Sequence, residues 1–245
     1  MKNSLQYLQN DICSFMPLKE INYTYKKNII SACFFKIYEG GYKNFNIYLT
    51  GLKRLSNAIP DNFIIRLFID NSIYNDSQIM KYINTLINIE IIVYKCKMFE
   101  HPQNNDYHIS IIGTIIRFFP LFNFPNNDAN MVIISDIDYT DNTIKIYMNK
   151  INKILQLKDN ISKLYIFCFS KFMHVINHIN KIIINKQHYF MPYIMAPGII
   201  GYKKIPYQII IDYMKSTDNK INNTIRSNYN LNVNSNKCYK LKNNY

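Results

Sequence analysis

Four runs of β-forming residues, separated by stretches with helical spacing or polar character, constrain this chain more than any other feature. The runs are Ile29 to Ile37, Asn62 to Asp70, Glu90 to Lys95 and Asn130 to Ser135. Between the first two, Ile47, Leu52, Leu55 and Ala58 recur at roughly helical spacing and stop before Pro60. Between the second and third, Ile79, Tyr82, Ile83, Leu86 and Ile87 form one apolar face behind a capping Asp76 or Ser77. The polar segment EHPQNNDYH then leads to a helix predicted over 110–119 and stopped by Pro120. A further helix is predicted from Asn142 to Leu157, followed by strand-like segments at Lys163 to Ser170 and Met195 to Tyr202 and a last helix or strand from Pro206 to Met214. Strand and helix in alternation imply an α/β fold, a mostly parallel Rossmann-type sheet flanked by helices. Ligands of such sheets sit beyond the carboxyl ends of the strands. Asp70 and the pair Asp136 and Asp138 fall at those ends.

A chain of 245 residues, 48% hydrophobic, can bury one substantial core. From about Ser216 the apolar period fails, so the expected organisation is a domain over 1–215 and a flexible or peripheral basic Asn/Lys-rich tail over 216–245. The net charge of +13 favours a polyanionic partner such as a nucleotide. Much of that charge is diffuse, and it reads as Lys-rich filler of A/T-rich coding rather than as a nucleic-acid surface. The five cysteines are far apart, odd in number and without a CxxC, which argues against a zinc site and a disulfide framework. Cys33, Cys96 and Cys168 are expected to be buried small hydrophobes, and a reducing compartment is the simplest setting. The first residues lack a continuous apolar signal core, and no apolar run is long enough to span a membrane, so a soluble, cytoplasmic chain is expected.

Asp136 and Asp138 carry the chemistry. Two carboxylates two residues apart at a strand end can turn toward one hard cation, leaving positions open for phosphate oxygens. Such a cation neutralises charge on a departing diphosphate. The plainer alternative is a polar strand end whose aspartates cap local amides. Arg117, shortly upstream, could hold a diphosphate or orient Asp136 with its fork, or stand as an ordinary surface arginine. Neither GxxxxGK[ST] nor GxGxxG occurs, which removes the P-loop and dinucleotide fingerprints as routes to a nucleotide site.

The combination GTIIRFFPLF…ANMVIISDIDYTD resembles the nucleotide-diphospho-sugar transferases, the GT-A-fold glycosyltransferases with a DxD motif. The resemblance runs from about residue 28 to 210 and is specific only in its Arg-to-DxD block. It implies that Asp136 and Asp138 hold Mn²⁺ or Mg²⁺ against a UDP- or GDP-linked sugar. It also implies that Arg117 supports the acidic motif or the phosphates. The segment IISACFFKI, with Cys33 and Phe34, and the YEGGY after it correspond to the part that receives the nucleoside; Asp70, at the end of the second strand, is read from its position as a nucleoside contact rather than a base. MAPGIIGYK is similar to the strand that frames the sugar and acceptor pocket. The expected activity is transfer of a sugar to a hydroxyl on a glycan, protein or lipid.

The chain departs from the family in its C-terminal part, which reads as shortened. Asp212 is the best late carboxylate for a base, with Asp218 behind it, while Asp141 could hydrogen-bond within the loop after the pair. His174, His178 and His188 are available as a third ligand, but a structural or surface histidine is the stronger reading for each. Two alternatives stay open: an inactive GT-A-like structural or interaction protein, and another Mg²⁺-dependent phosphate-handling α/β enzyme. The residue bias also suits a large DNA virus, in which case the host cytoplasm or the virion is the expected location.

Overall fold

A computed structural model describes residues 8–9, 13–21, 26–38, 45–97, 100–108, 115–122, 128–155, 164–166 and 199–201. The chain divides into two units, Met1–Tyr207 and Gln208–Tyr245, and all described residues belong to the first. Among the described residues there are ten strands: β1 (Leu8–Gln9), β2 (Cys13–Lys19), β3 (Lys27–Phe34), β4 (Phe63–Ile69), β5 (Ile89–Cys96), β6 (Glu100–His101), β7 (Asn104–His108), β8 (Ala129–Ile134), β9 (Leu164–Ile166) and β10 (Ile199–Gly201). The helices are α1 (Phe45–Ala58), α2 (Asn71–Tyr74), α3 (Ser77–Asn84) and α4 (Asp141–Leu155).

Eight strands form one mixed sheet in the order β1-β2-β5-β4-β3-β8-β10-β9, and β6 pairs with β7 in a separate hairpin. The centre, β5-β4-β3-β8, is parallel throughout. At the flanks β2 runs antiparallel to β5 and β10 antiparallel to β8. The chain leaves β3 in one direction, to β4 and β5, and then returns to β8 on the other side of β3. The topological switch point, where open α/β sheets leave a crevice, therefore lies between the carboxyl ends of β3 and β8.

The burial pattern follows from strand alternation. Ile30, Ala32 and Phe34 of β3, with Ile65, Leu67 and Ile69 of β4, join Leu52 and Leu55 of α1, Ile79 and Ile83 of α3, and Ile144 and Tyr147 of α4 in one core. The opposite face carries Phe15, Phe68 and Phe119, with Phe15 at 6.2 Å from Phe68 and 5.5 Å from Phe119 between ring centroids. Asp76 caps α3 as its sequence position predicts, its carboxylate accepting from the Gln78 and Ile79 amides. The helix predicted over 110–119 is described only from 115, where one helical pair leads into a 3-10 turn over Phe119–Phe122 that runs through Pro120 rather than stopping before it.

The cysteine reading needs correction. Cys13 and Cys96 form a disulfide, so Cys96 is not an isolated small hydrophobe. The two stand directly opposite in the β2–β5 ladder, although 83 residues separate them in sequence. Disulfides persist in oxidising surroundings, which removes the cysteine argument for a reducing compartment. Among the described residues, no helix is long and apolar enough to cross a membrane.

Candidate functional site

The loop after β8 is built by alternation continued past the strand. Ile137 and Tyr139 are each 5% exposed and enter the core against α1 and α4, while Asp136 and Asp138 remain partly exposed. Apolar anchors on alternate residues thus direct both aspartates away from the core. Ser135 completes the turn: its hydroxyl donates to the Asp136 carbonyl oxygen at 2.8 Å and shares a hydrogen bond with the Tyr139 hydroxyl at 2.9 Å.

Arg117 comes to this loop as the sequence suggests. Its Nη1 donates to Asp136 Oδ1 at 2.5 Å and to the Ser135 carbonyl oxygen at 3.1 Å. The Arg117 residue is 7% exposed, whereas the Asp136 side chain is 37% exposed, so one guanidinium holds the carboxylate from below and leaves its outer side open. Burial opposes the arginine's charge, but the acidic groups around it, the hydrogen-bonded Asp136 carboxylate among them, more than offset it. Of the readings open for Arg117, that of a group orienting Asp136 fits this geometry and that of an ordinary surface arginine does not.

Cys33 and Phe34 end β3 beside this loop, across the switch point. Desolvation pushes the Cys33 thiol up to about 12, with Asp136 and Asp70 adding to the rise and Arg117 opposing it. Cys33 is therefore a neutral thiol at physiological pH, unsuited to nucleophilic attack. Phe34 is 3% exposed and packs on Phe45 and Tyr48 of α1, which leaves it little surface for a nucleoside.

Asp70 stands at the carboxyl end of β4, but it is 0% exposed and turned inward. It accepts from the Ser72 hydroxyl at 2.5 Å, and Oδ2 lies 3.3 Å from His108 Nδ1. The Cys96 amide donates to His108 Nε2 at 3.0 Å, so the imidazole proton sits on Nδ1 and points at Asp70. Tyr94 lies over the imidazole at 5.0 Å, its hydroxyl pushed well up by desolvation, then by Asp70 and Cys33. This carboxylate orders the junction of β4, β5 and β7, and it presents no open face to a nucleoside. His108 carried no sequence signal, because it closes a polar segment whose hairpin pairing was not legible.

A polar cleft of about 470 Å³ opens next to that junction, lined by Lys36, α2, the start of α3 and the β7 hairpin. Lys36 bridges it, donating to Asp76 Oδ2 at 2.7 Å while its backbone amide donates to the Ser72 hydroxyl. Tyr38, His101 and Tyr107 form an aromatic group nearby, with Tyr38 at 4.3 Å from His101 and 5.3 Å from Tyr107 between ring centroids.

Two partly exposed carboxylates are a donor set suited to a hard cation that takes its remaining ligands from phosphate and water. Among the described residues, no group of three or more His, Cys, Asp or Glu side chains comes together to hold a metal. Asp141 opens α4, and both its carboxylate oxygens accept from Arg54 of α1 rather than from a group of the loop itself. Asp212, Asp218, His174, His178, His188 and Cys168 lie outside the described residues. No family model, no curated protein and no solved structure matches the chain.

Proposed function

We propose that the chain is a metal-dependent glycosyltransferase that binds a nucleoside-diphosphate sugar at the switch point between β3 and β8. The observation that carries the reading is Arg117 locked onto Asp136 at 2.5 Å at the end of β8, with Asp138 partly exposed two residues on. Asp136 and Asp138 would hold Mn²⁺ or Mg²⁺, and the cation would neutralise the departing diphosphate as a Lewis acid. Arg117 fixes the Asp136 carboxylate so that little reorganisation is needed when the ligand arrives. The cleft beside Lys36, with its aromatic border, supports a nucleoside placed on the β3–β4 side of the site, with the sugar toward β8 and β10.

Calorimetric titration of the full chain with UDP- and GDP-sugars, with and without Mn²⁺, tests the reading. Metal-dependent binding is expected, weakened in Asp136→Asn and Asp138→Asn by at least the roughly 10–100-fold that loss of an outer-shell partner costs a metal site. Binding without metal dependence, or unaffected by both substitutions, would sink it. Product analysis in the same samples separates sugar transfer from binding without turnover.

A further inference from the structure

Helix α1 reaches both sides of the candidate site. Its first turn places Phe45 and Tyr48 on Phe34 at the end of β3, with ring centroids 5.3 and 6.1 Å away. Its middle meets the acidic loop at Gly51 and Arg54, three residues apart and so on one helical face. A Cβ placed on Gly51 would overlap the Ile137 carbonyl oxygen and lie 2.5 Å from the Tyr139 amide nitrogen and 2.9 Å from the Asp138 carbonyl carbon. All three neighbours are backbone, so no side chain can move aside to make room. Arg54 then closes the loop from the other end. Its Nε and Nη2 donate to the two carboxylate oxygens of Asp141 at 2.6 and 3.1 Å, and its Nη1 donates to the Tyr139 carbonyl oxygen at 3.3 Å.

We propose that Gly51 and Arg54 are positioning residues for Asp136 and Asp138: Gly51 lets α1 lie flush on the backbone of residues 137–139, and Arg54 pins the exit of the loop. This rests on the reading of the two aspartates as metal ligands given above. Asp138 lies between two fixed points, Asp136 on Arg117 and Tyr139–Asp141 on Arg54, so a change in the backbone path between them moves its carboxylate. An alanine at 51 needs about 1 Å of relief to restore ordinary carbon contacts. Metal–ligand distances tolerate only about ±0.2 Å. The same shift that an ordinary packing contact absorbs would therefore take a carboxylate out of range of the cation. A residue that only held α1 against α4 would lower stability and leave the affinity of the folded protein for metal untouched.

Mn²⁺ binding to the full chain, followed by electron paramagnetic resonance of the free ion, is paired with amide hydrogen exchange over residues 136–141 for wild type, Gly51→Ala, Arg54→Ala and Arg54→Lys. Gly51→Ala and Arg54→Ala are expected to weaken Mn²⁺ binding by roughly 10–100-fold and to speed exchange in this loop while the central strands stay protected. Arg54→Lys keeps the charge but not the fork, and its affinity is expected between wild type and Arg54→Ala. Wild-type loop protection in both alanine variants overturns the inference, and so does wild-type affinity in the face of faster exchange. Should Gly51→Ala fail to fold, the two Arg54 variants decide, since that side chain is a third exposed and bonded at the surface. A wild type that binds no Mn²⁺ overturns the proposed function instead, and loop exchange then reads the hold of α1 by itself.

Discussion

Asp70 directly follows β4 and Asp136 stands two residues past the end of β8, yet their surroundings set the two carboxylates apart. Asp136 keeps an open outer side over a buried arginine, whereas Asp70 is enclosed by Ser72 and by the Nδ1–H of His108. Removing the enclosed carboxylate leaves two buried donors without an acceptor, each costing about 1–3 kcal/mol. Asp70→Ala is thus expected to lose roughly 2–5 kcal/mol in urea unfolding, and Asp70→Asn, which keeps an acceptor, to lose less. The folded fraction of Asp70→Asn should bind sugar nucleotide with wild-type affinity. A selective loss of that affinity would return Asp70 to the nucleoside-contact role its position first suggested.

Between elements, the amino ends of the central strands are tied by charge. Arg66 of β4, 1% exposed, donates through Nε and Nη2 to Glu90 of β5 at 3.0 and 2.8 Å, and through Nη1 and Nη2 to Asp128 before β8 at 3.0 and 2.6 Å. Lys27 of β3 completes the cluster with Glu90 and Asp128. Such a group resists loss of a member because the remaining buried charge is left unpaired, so Arg66→Ala should lose roughly 3–5 kcal/mol. Desolvation raises the Asp128 carboxyl, but the Arg66 fork and the charges of Arg66 and Lys27 outweigh it and hold it below its ordinary value. The sign follows: the unfolded carboxyl titrates near ~3.9, so the stabilisation is complete above that pH and is lost as pH falls through the lower folded value. Acid unfolding curves should show this loss below about pH 4, and Asp128→Asn should flatten it. A slope unchanged by Asp128→Asn would detach the cluster from acid stability.

For the molecule as a whole, the Cys13–Cys96 bond closes a long loop that contains β3, α1, β4, α2 and α3, so it limits the unfolded chain more than it strengthens any one contact. Reduction, or Cys13→Ser with Cys96→Ser, is expected to lower global stability by roughly 2–5 kcal/mol. Thiol counting under denaturing conditions, before and after reductant, provides the check: two fewer reactive thiols before reduction are expected. A full set of free thiols before reduction would restore the early view of Cys96 as a small buried hydrophobe.

Local patterning was enough to locate β3, β4, β5 and β8, the helices α1, α3 and α4, and the aspartates at the strand ends, whereas the helix expected over 110–119 meets a 3-10 turn at Phe119. Period-2 and helical spacing are properties of neighbouring residues, and they also carried Arg117 toward Asp136 through a short intervening segment. Pairing is not local. The antiparallel β2 at the edge, the disulfide across 83 residues, the β6–β7 hairpin and the capture of Asp70 by His108 all join positions whose relation exists only once strand order and register are set. The contact of Gly51 with the acidic loop is of the same kind. An isolated glycine in a helix reads as a weak point in sequence, and only the approach of α1 to the 137–139 backbone shows why a side chain has no room there.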